Sequence, residues 1–309
     1  AFNGSGGPVA LGGAIERAEE LPAGTIAVVT TSGSTGVPKS VVLSRAALTA
    51  SAMATMARVG EGAWLLALPA TYVAGLQVLA RSVIAGHEPT YLDGRFTTDA
   101  FIRAAAQMSL VAPGVARYTS LVPAQLLTLL DEAEDPAVVG AARSFAAILV
   151  GGQALPEAVL VRATELGLRI VTTYGSSETA GGCVYDNVPL PHVRVRTVEG
   201  ELQISGPVLA DGYWGQQALT DATFVRDDDG TRWYRTGDAG DVIDDLVAVT
   251  GRIDNVLISG GVNVSLDAVE RAVRGVTGGE GGVIVAVADP RWGQVPVLVV
   301  EADRDGLLA

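Results

Sequence analysis

Lys39 is the only lysine among 309 residues, and it closes a stretch dense in glycine and hydroxyl groups, TTSGSTGVPKSVVLS, Thr30 to Ser44. Such a stretch can wrap phosphate with side-chain hydroxyls and backbone N–H groups while the ammonium adds charge at its edge. Gly33 to Ser40 nearly spells the nucleoside triphosphatase loop G-x-x-x-x-G-K-[ST], but Pro38 stands where that loop needs a glycine N–H. Two further stretches carry complementary groups. In TTYGSSET, Thr172 to Thr179, Tyr174 can stack on a base, Ser177 can contact a phosphate and Glu178 can hold a Mg²⁺ that bridges phosphates. In YRTGDAG, Asp238 can accept both hydroxyls of a ribose. Each stretch taken alone also reads as an ordinary solvated turn.

The elements that must position these residues alternate. GTIAVVTTSG reads as a strand running into the glycine loop, and SRAALTASAMATMARVG as a helix of good formers. GAWLLALP is a buried strand, GLQVLARSVIAG a helix ending on Gly86, and EPTYL a returning strand. The rhythm continues through FTTDAFIRAAAQM, YTSLVPAQLLTLLDEA, the strand FAAILVGG, the helix LPEAVLVRATELG and RIVTTYG. Alternation of this kind implies parallel strands with helices on both faces. After about Asn187 the texture shifts to short alternating strands with Gly and Asp turns, as in VRVRTVEGELQISGP and TRWYRTGDAGDVIDDLVAVTGR, implying antiparallel or small-barrel structure. A third texture starts near Asn255, where SGGVNVS precedes the helix LDAVERAVRGV and the strand GVIVAVAD. The expected class is α/β. A large N-terminal domain, residues 1–253, has mostly parallel sheets flanked by helices and a small antiparallel barrel-like part. An incomplete small α+β C-terminal domain, residues 254–309, follows.

Composition sets the outer bounds. A net charge of -13 argues against nucleic acid and anionic membranes, which reward clustered Lys and Arg. Lone Cys183 excludes an intrachain disulfide framework and any cysteine-built zinc site, and fits a reducing cytosol. No apolar run approaches the ~20 residues needed to cross a bilayer, and no charged-then-apolar leader precedes the first motif. The first residue, Ala1, is not Met and need not be the native start. The expected setting is cytoplasmic, with a homodimer allowed.

The ordered set is more informative than its members. TSGSTGVPKS, VGGQALP, TTYGSSET, YRTGDAG and GRIDNVLISGGVNVSLDAVE, from about Thr30 to Glu270, resemble the adenylate-forming superfamily of acyl-CoA synthetases, adenylation domains and luciferases. In that superfamily's phosphate loop, proline before lysine is usual, so the triphosphatase reading of the opening stretch falls away. The resemblance implies ATP, Mg²⁺ and CoA as co-substrates and metal. It implies a triphosphate loop of Thr31, Ser32, Gly33, Ser34, Thr35, Gly36 and Lys39, with Ser40 where glycine is commoner. Gly152, Gln153 and Ala154 would border the adenine, with Tyr174 and Gly175 against it. Ser177 would touch the α-phosphate, Glu178 would hold Mg²⁺, and Asp238 and Arg252 would bind ribose. Asp254 would be the hinge of the C-terminal domain, and Gly260 and Gly261 would line the thiol path. Lys39, Ser177 and Glu178 are the implied catalytic residues. The chemistry is consistent with a chain holding only His87 and His192: a carboxylate is already ionised at pH 7, so attack on phosphorus needs charge neutralisation and in-line positioning instead of a general base.

YTSLVPAQL, SSETAGGCVYDNVPL and LPATYVAGLQVLARSVIAG are similar to the o-succinylbenzoate:CoA ligases of the menaquinone pathway. Where many of those have histidine before the valine, this chain has Tyr72. The implied acid carries two carboxylates, and Tyr72, Arg81, Thr119 and Ser120 are the candidates to meet the one that does not react. The family's C-terminal lysine, which reaches the reacting carboxylate, has no counterpart between Lys39 and Ala309; the expectation is that it lies outside this stretch of chain. Three alternatives share the motifs: a ligase for another aryl or fatty acid, an adenylation domain that loads a carrier protein, and an ATP-binding relative without catalysis.

Overall fold

The computed structural model describes residues 6–15, 18–31, 38–259, 261–276 and 282–300. By contact the chain divides into two compact units: Ala1–Leu155, Val159–Val195 and Ile204–Arg235 form the first, and Pro156–Ala158, Arg196–Gln203 and Thr236–Ala309 the second.

In the first unit, apolar runs without alternation become strands covered on both faces. Ala63–Leu66 and Ala147–Gly151 sit inside a seven-stranded sheet ordered Val188–Pro189, Gly181–Tyr185, Ile170–Ser176, Ala147–Gly151, Arg117–Leu121, Ala63–Leu66, Thr90–Tyr91. The five strands from Ile170–Ser176 to Thr90–Tyr91 are parallel, and the last two at the other edge are antiparallel. Parallel neighbours need long crossovers, which Val73–Ala85, Thr98–Val111, Pro123–Asp131 and Pro136–Arg143 fill as helices. Thr97 and Asp135 cap two of them, accepting from Ala100 N at 3.2 Å and Ala137 N at 2.8 Å. Gly86 ends the Val73–Ala85 helix at φ 70°, as its position suggests. Phe101, Met108, Leu126, Leu130, Phe145 and Ile148 fill the core under one sheet face, each worth about 1.5–3 kcal/mol when fully buried.

The strands on either side of the glycine stretch belong to a different sheet, with the order Val9–Leu11, Thr25–Thr31, Lys39–Ser44, Gly212–Tyr213. Here the strand after the loop, KSVVLS, returns antiparallel to the one before it, pairing Thr31 with Lys39 and Thr25 with Ser44. The sequence pattern did not separate that strand from the loop and helix around it, because KSVVLS is short and runs directly into Arg45–Val59.

From Thr236 on, the second unit has its own antiparallel pairing, in a strand whose first residues, Arg232–Arg235, belong to the first unit. Arg232–Ile243 and Leu246–Arg252 form a hairpin with Asp238 opposite Arg252 and Ile243 opposite Leu246. The two turn residues, Asp244 and Asp245, have φ 49° and 63°, the left-handed pair that matches strand twist. Val262–Ser265, Val256–Ser259, Gly293–Val299 and Val283–Asp289 make a four-stranded sheet in that order. The helix Leu266–Arg274 packs on it through Leu257, Leu266 and Ile284. Among the described residues, no helix is long and apolar enough to cross a membrane.

Candidate active site

The hairpin stem fixes the lysine. Thr31 Oγ1 donates to Lys39 O at 3.4 Å, and the hydroxyls of Thr30 and Ser40 lie 3.1 Å apart, so Ser40 ties the base of the loop across the stem. Ser32, Gly33, Ser34, Thr35 and Gly36 lie outside the described residues. Lys39 Nζ lies 5.7 Å from the centroid of the Tyr213 ring, a cation–π approach within the usual ~6 Å reach. Tyr213 is brought there by backbone pairing, opposite Val41 of the same stem.

Glu178 completes the group. It sits on the single 3-10 turn Ser177–Thr179 that follows the Ile170–Ser176 strand. Thr179 Oγ1 staples that turn, accepting from Ser176 N at 2.9 Å and donating to Gly181 O at 2.7 Å. Both Ser177 and Glu178 are buried. Glu178 Oε1 accepts from the Tyr213 hydroxyl at 2.8 Å, and its carbonyl accepts from Ala210 N at 2.8 Å. Burial, with the Glu178 charge adding, pushes Tyr234 well above the ordinary tyrosine range, so its hydroxyl stays neutral beside the turn. Sequence reasoning missed Tyr213. It lies in ADGYWG, which reads as a turn, and its partner Glu178 is 35 residues away.

A cavity of about 250 Å³ opens beside this turn, lined by Tyr72, Gln77, Arg81, Ser120, Thr173 and Tyr185 together with glycines. Gly151, Gly152, Gly175, Gly181 and Gly182 all reach its wall. A Cβ on Gly175 would sit 2.3 Å from Gly181 O, and one on Gly151 would sit 2.2 Å from Thr173 Oγ1, so these positions admit no side chain. Gln153 and Ala154 follow on the exposed turn, and Tyr174 is half-buried. Of the four acid-pocket candidates, Tyr72, Arg81 and Ser120 line the cavity. Thr119 does not. Its hydroxyl donates to Leu65 O at 3.1 Å, because neighbouring residues of a strand face opposite sides.

Arg81 is the unusual charge in this wall. It is 3% exposed, its Nη2 donates to Tyr185 Oη at 3.3 Å, and its Cζ lies 4.8 Å from the Trp64 ring centroid. Among the described residues its buried Nε has no hydrogen-bond partner and no carboxylate forms an ion pair with it. Burial pulls the guanidinium below its ordinary range, with Tyr185 opposing, yet arginine keeps its charge at neutral pH. A buried cation without an anion is costly.

In the second unit, Arg252 Nη1 donates to Asp238 Oδ1 at 3.1 Å, and its Nε and Nη2 grip Asp254 at 2.9 and 3.1 Å. That fork, with Asp254 the largest influence, raises the Arg252 pKa further. Gly237 stands at φ 69°, and a Cβ there would meet Arg252 Nη2 at 2.8 Å. Asp238 N donates to Thr236 Oγ1 at 2.9 Å. Gly261 has φ 85° with open space around it, and Gly260 lies outside the described residues.

Among the described residues there is no cluster of three His, Cys, Asp or Glu that could cage a metal. Glu178 Oε2 takes no hydrogen bond from them, so one carboxylate oxygen is available to a Mg²⁺ that keeps waters and phosphate oxygens as its other ligands.

Residues 14–214 match the family described as AMP-binding enzyme. A probable 2-succinylbenzoate–CoA ligase of Mycobacterium tuberculosis is 39% identical over 93% of this chain and 74% of its own length. A variant of Escherichia coli MenE with bound OSB-AMS matches at TM-score 0.76 and 29% identity, over 92% of this chain and 60% of that one. The o-succinylbenzoate coenzyme A synthetase (MenE) of Bacillus subtilis in complex with ATP and magnesium ion matches at TM-score 0.72 and 26% identity, over 88% and 59%. The chain thus spans about three-fifths of the solved relatives. With about two-thirds of its length matched by that family and a relative 39% identical over 93% of the chain, this chain belongs to the AMP-binding enzyme family, among the relatives of 2-succinylbenzoate–CoA ligase.

Proposed function

We propose that this chain carries ATP-dependent activation of o-succinylbenzoate and its transfer to CoA, a step of menaquinone biosynthesis in the cytoplasm. One carboxylate of the acid attacks the α-phosphorus of ATP, the bond to the bridging oxygen breaks, and acyl adenylate and pyrophosphate form. The CoA thiol, losing its proton, then attacks the acyl carbon and AMP leaves. Residues 31–36 and Lys39 hold the triphosphate, Ser177 meets the α-phosphate, and Glu178 holds Mg²⁺, which neutralises phosphate oxygens when bound. Gly152, Gln153, Ala154, Tyr174 and Gly175 border the adenine. Asp238 and Arg252 take the ribose, Asp254 serves as hinge, and Gly260 and Gly261 line the thiol path.

The observation that supports the choice of acid is Arg81, a buried cation in the cavity beside the Glu178 turn with no carboxylate partner among the described residues. An acid with a second, unreactive carboxylate supplies the missing charge. A cavity of about 250 Å³ is below the ~300–1,000 Å³ of drug-sized pockets, which favours a compact aryl acid over a long acyl chain. The test is AMP release from ATP, Mg²⁺ and CoA across a panel of acids. Release with o-succinylbenzoate should exceed that with benzoate and fatty acids; equal or greater release with a monoacid rejects the assignment.

A further inference from the structure

Behind Arg81 runs a chain of hydroxyls that the reaction itself does not use. Arg81 Nη2 lies 3.3 Å from Tyr185 Oη, Tyr185 Oη lies 2.9 Å from Thr55 Oγ1, and Thr55 Oγ1 lies 3.0 Å from the Ser51 carbonyl oxygen. The two ends fix the direction of every proton. A guanidinium can only donate and a carbonyl can only accept. Thr55 therefore gives its proton to Ser51, Tyr185 gives its proton to Thr55, and the Tyr185 oxygen is left as an acceptor facing Arg81. Tyr185 and Thr55 are both fully buried, so solvent does not replace either link. Hydrogen bonds in such a series polarise one another in a low-dielectric interior.

Trp64 fixes the plane of the same guanidinium from its face, 4.8 Å from Cζ. With one corner held by Tyr185 and one face held by Trp64, the buried Nε and the Nη1 corner beside it are left without a hydrogen-bond partner among the described residues. Thr55 is not among the cavity-lining residues and belongs to the Arg45–Val59 helix. Any influence it has on a ligand passes through Tyr185 and Arg81.

We propose that Thr55 and Tyr185 are positioning residues that set acid specificity, holding the Arg81 guanidinium so that its free edge meets the second carboxylate of a compact diacid. The proposal rests on the reading of the cavity given above. It separates two things that a single arginine substitution would confuse, the presence of a cation and its aim. Removing the Thr55 hydroxyl leaves the cation in place but strands the Tyr185 proton. The phenol must then rotate to find another acceptor, and Arg81 loses the oxygen that oriented it.

The test is equilibrium titration of the full chain with o-succinylbenzoate and with 4-oxo-4-phenylbutanoate, the monoacid that lacks the aromatic carboxylate. Thr55→Val and Tyr185→Phe should each lower the ratio of diacid to monoacid affinity about tenfold, the scale of one hydrogen bond to a charged group. Thr55→Ser, which keeps the hydroxyl, should restore the wild-type ratio of the two affinities. Equal losses for both acids would show a packing role and overturn the proposal, as would an unchanged diacid affinity in both hydroxyl variants. Arg81→Gln tests the underlying reading separately. If it leaves the ratio untouched, the cavity does not recognise a second carboxylate at Arg81 and both statements fall. If it collapses the ratio while the hydroxyl variants keep it, only the positioning role is lost.

Discussion

Tyr213 touches both charges assigned to the nucleotide, donating to Glu178 Oε1 at 2.8 Å and turning its ring toward Lys39 Nζ at 5.7 Å. A phenol can do both because its edge and its face carry different electrostatics. Tyr213→Phe keeps the face and removes the donor, leaving the buried carboxylate free to turn away from the metal position. The Mg²⁺ needed for half-maximal adenylation should rise about tenfold, the value of one charge-assisted hydrogen bond; an unchanged metal titration would remove Tyr213 from the site. Cys183 makes the opposite kind of case. Burial pushes its thiol up to about 12, with the side-chain contact to Thr179 only partly opposing. Below the unfolded value of about 8.5 the neutral thiol is present in both states. Between there and the folded value the unfolded chain sheds its proton first, so the native state loses stability as pH rises. Urea unfolding should show that loss above about pH 9, and Cys183→Ala should flatten the slope in the same window. A parallel slope in the variant would assign the alkaline loss to other groups.

Gly75 shows how an element's tolerance can run against its propensity. It lies in the first turn of the Val73–Ala85 helix, where alanine normally gains about 1 kcal/mol over glycine. A Cβ there would sit 2.3 Å from the Pro69 carbonyl oxygen and 2.7 Å from its carbon, and backbone does not yield cheaply. Gly75→Ala should therefore destabilise by about 1–3 kcal/mol, read as a lower urea midpoint with the slope unchanged. The same helix carries Gln77 and Arg81, so acid affinity should fall with it. The helix itself was legible in GLQVLARSVIAG because its apolar period and closing Gly86 are local signals. KSVVLS was not, since what makes it a strand is pairing with Thr25–Thr31 across the loop. Pro136–Arg143 escaped the reading for a related reason. It spans eight residues, and only the Asp135 cap and Pro136 mark its start.

Across the whole chain, what the sequence made readable was the order of five local motifs; what it hid were contacts between them. Asp238 and Arg252 are 14 residues apart yet paired by a hairpin register, and Thr55 reaches Tyr185 across 130 residues. No period or spacing announces such meetings, because they depend on how distant elements pack. Composition, in contrast, offers a direct test of the central assignment. With 20 of its 21 basic residues arginine, the molecule has one ε-ammonium, Lys39, so an amine-selective reagent has a single side-chain target besides the chain terminus. Lys39 is half-buried on the hairpin stem, its ammonium over the Tyr213 ring. If that ammonium faces the triphosphate, ATP with Mg²⁺ should slow acetylation of Lys39 several-fold in a mass-spectrometric time course, while the α-amino group reacts as before. AMP, which lacks the β- and γ-phosphates, should protect far less, since the charge that Lys39 neutralises is then absent. Equal protection by the two nucleotides would move Lys39 away from the phosphate chain, and protection by neither would remove it from the nucleotide site altogether.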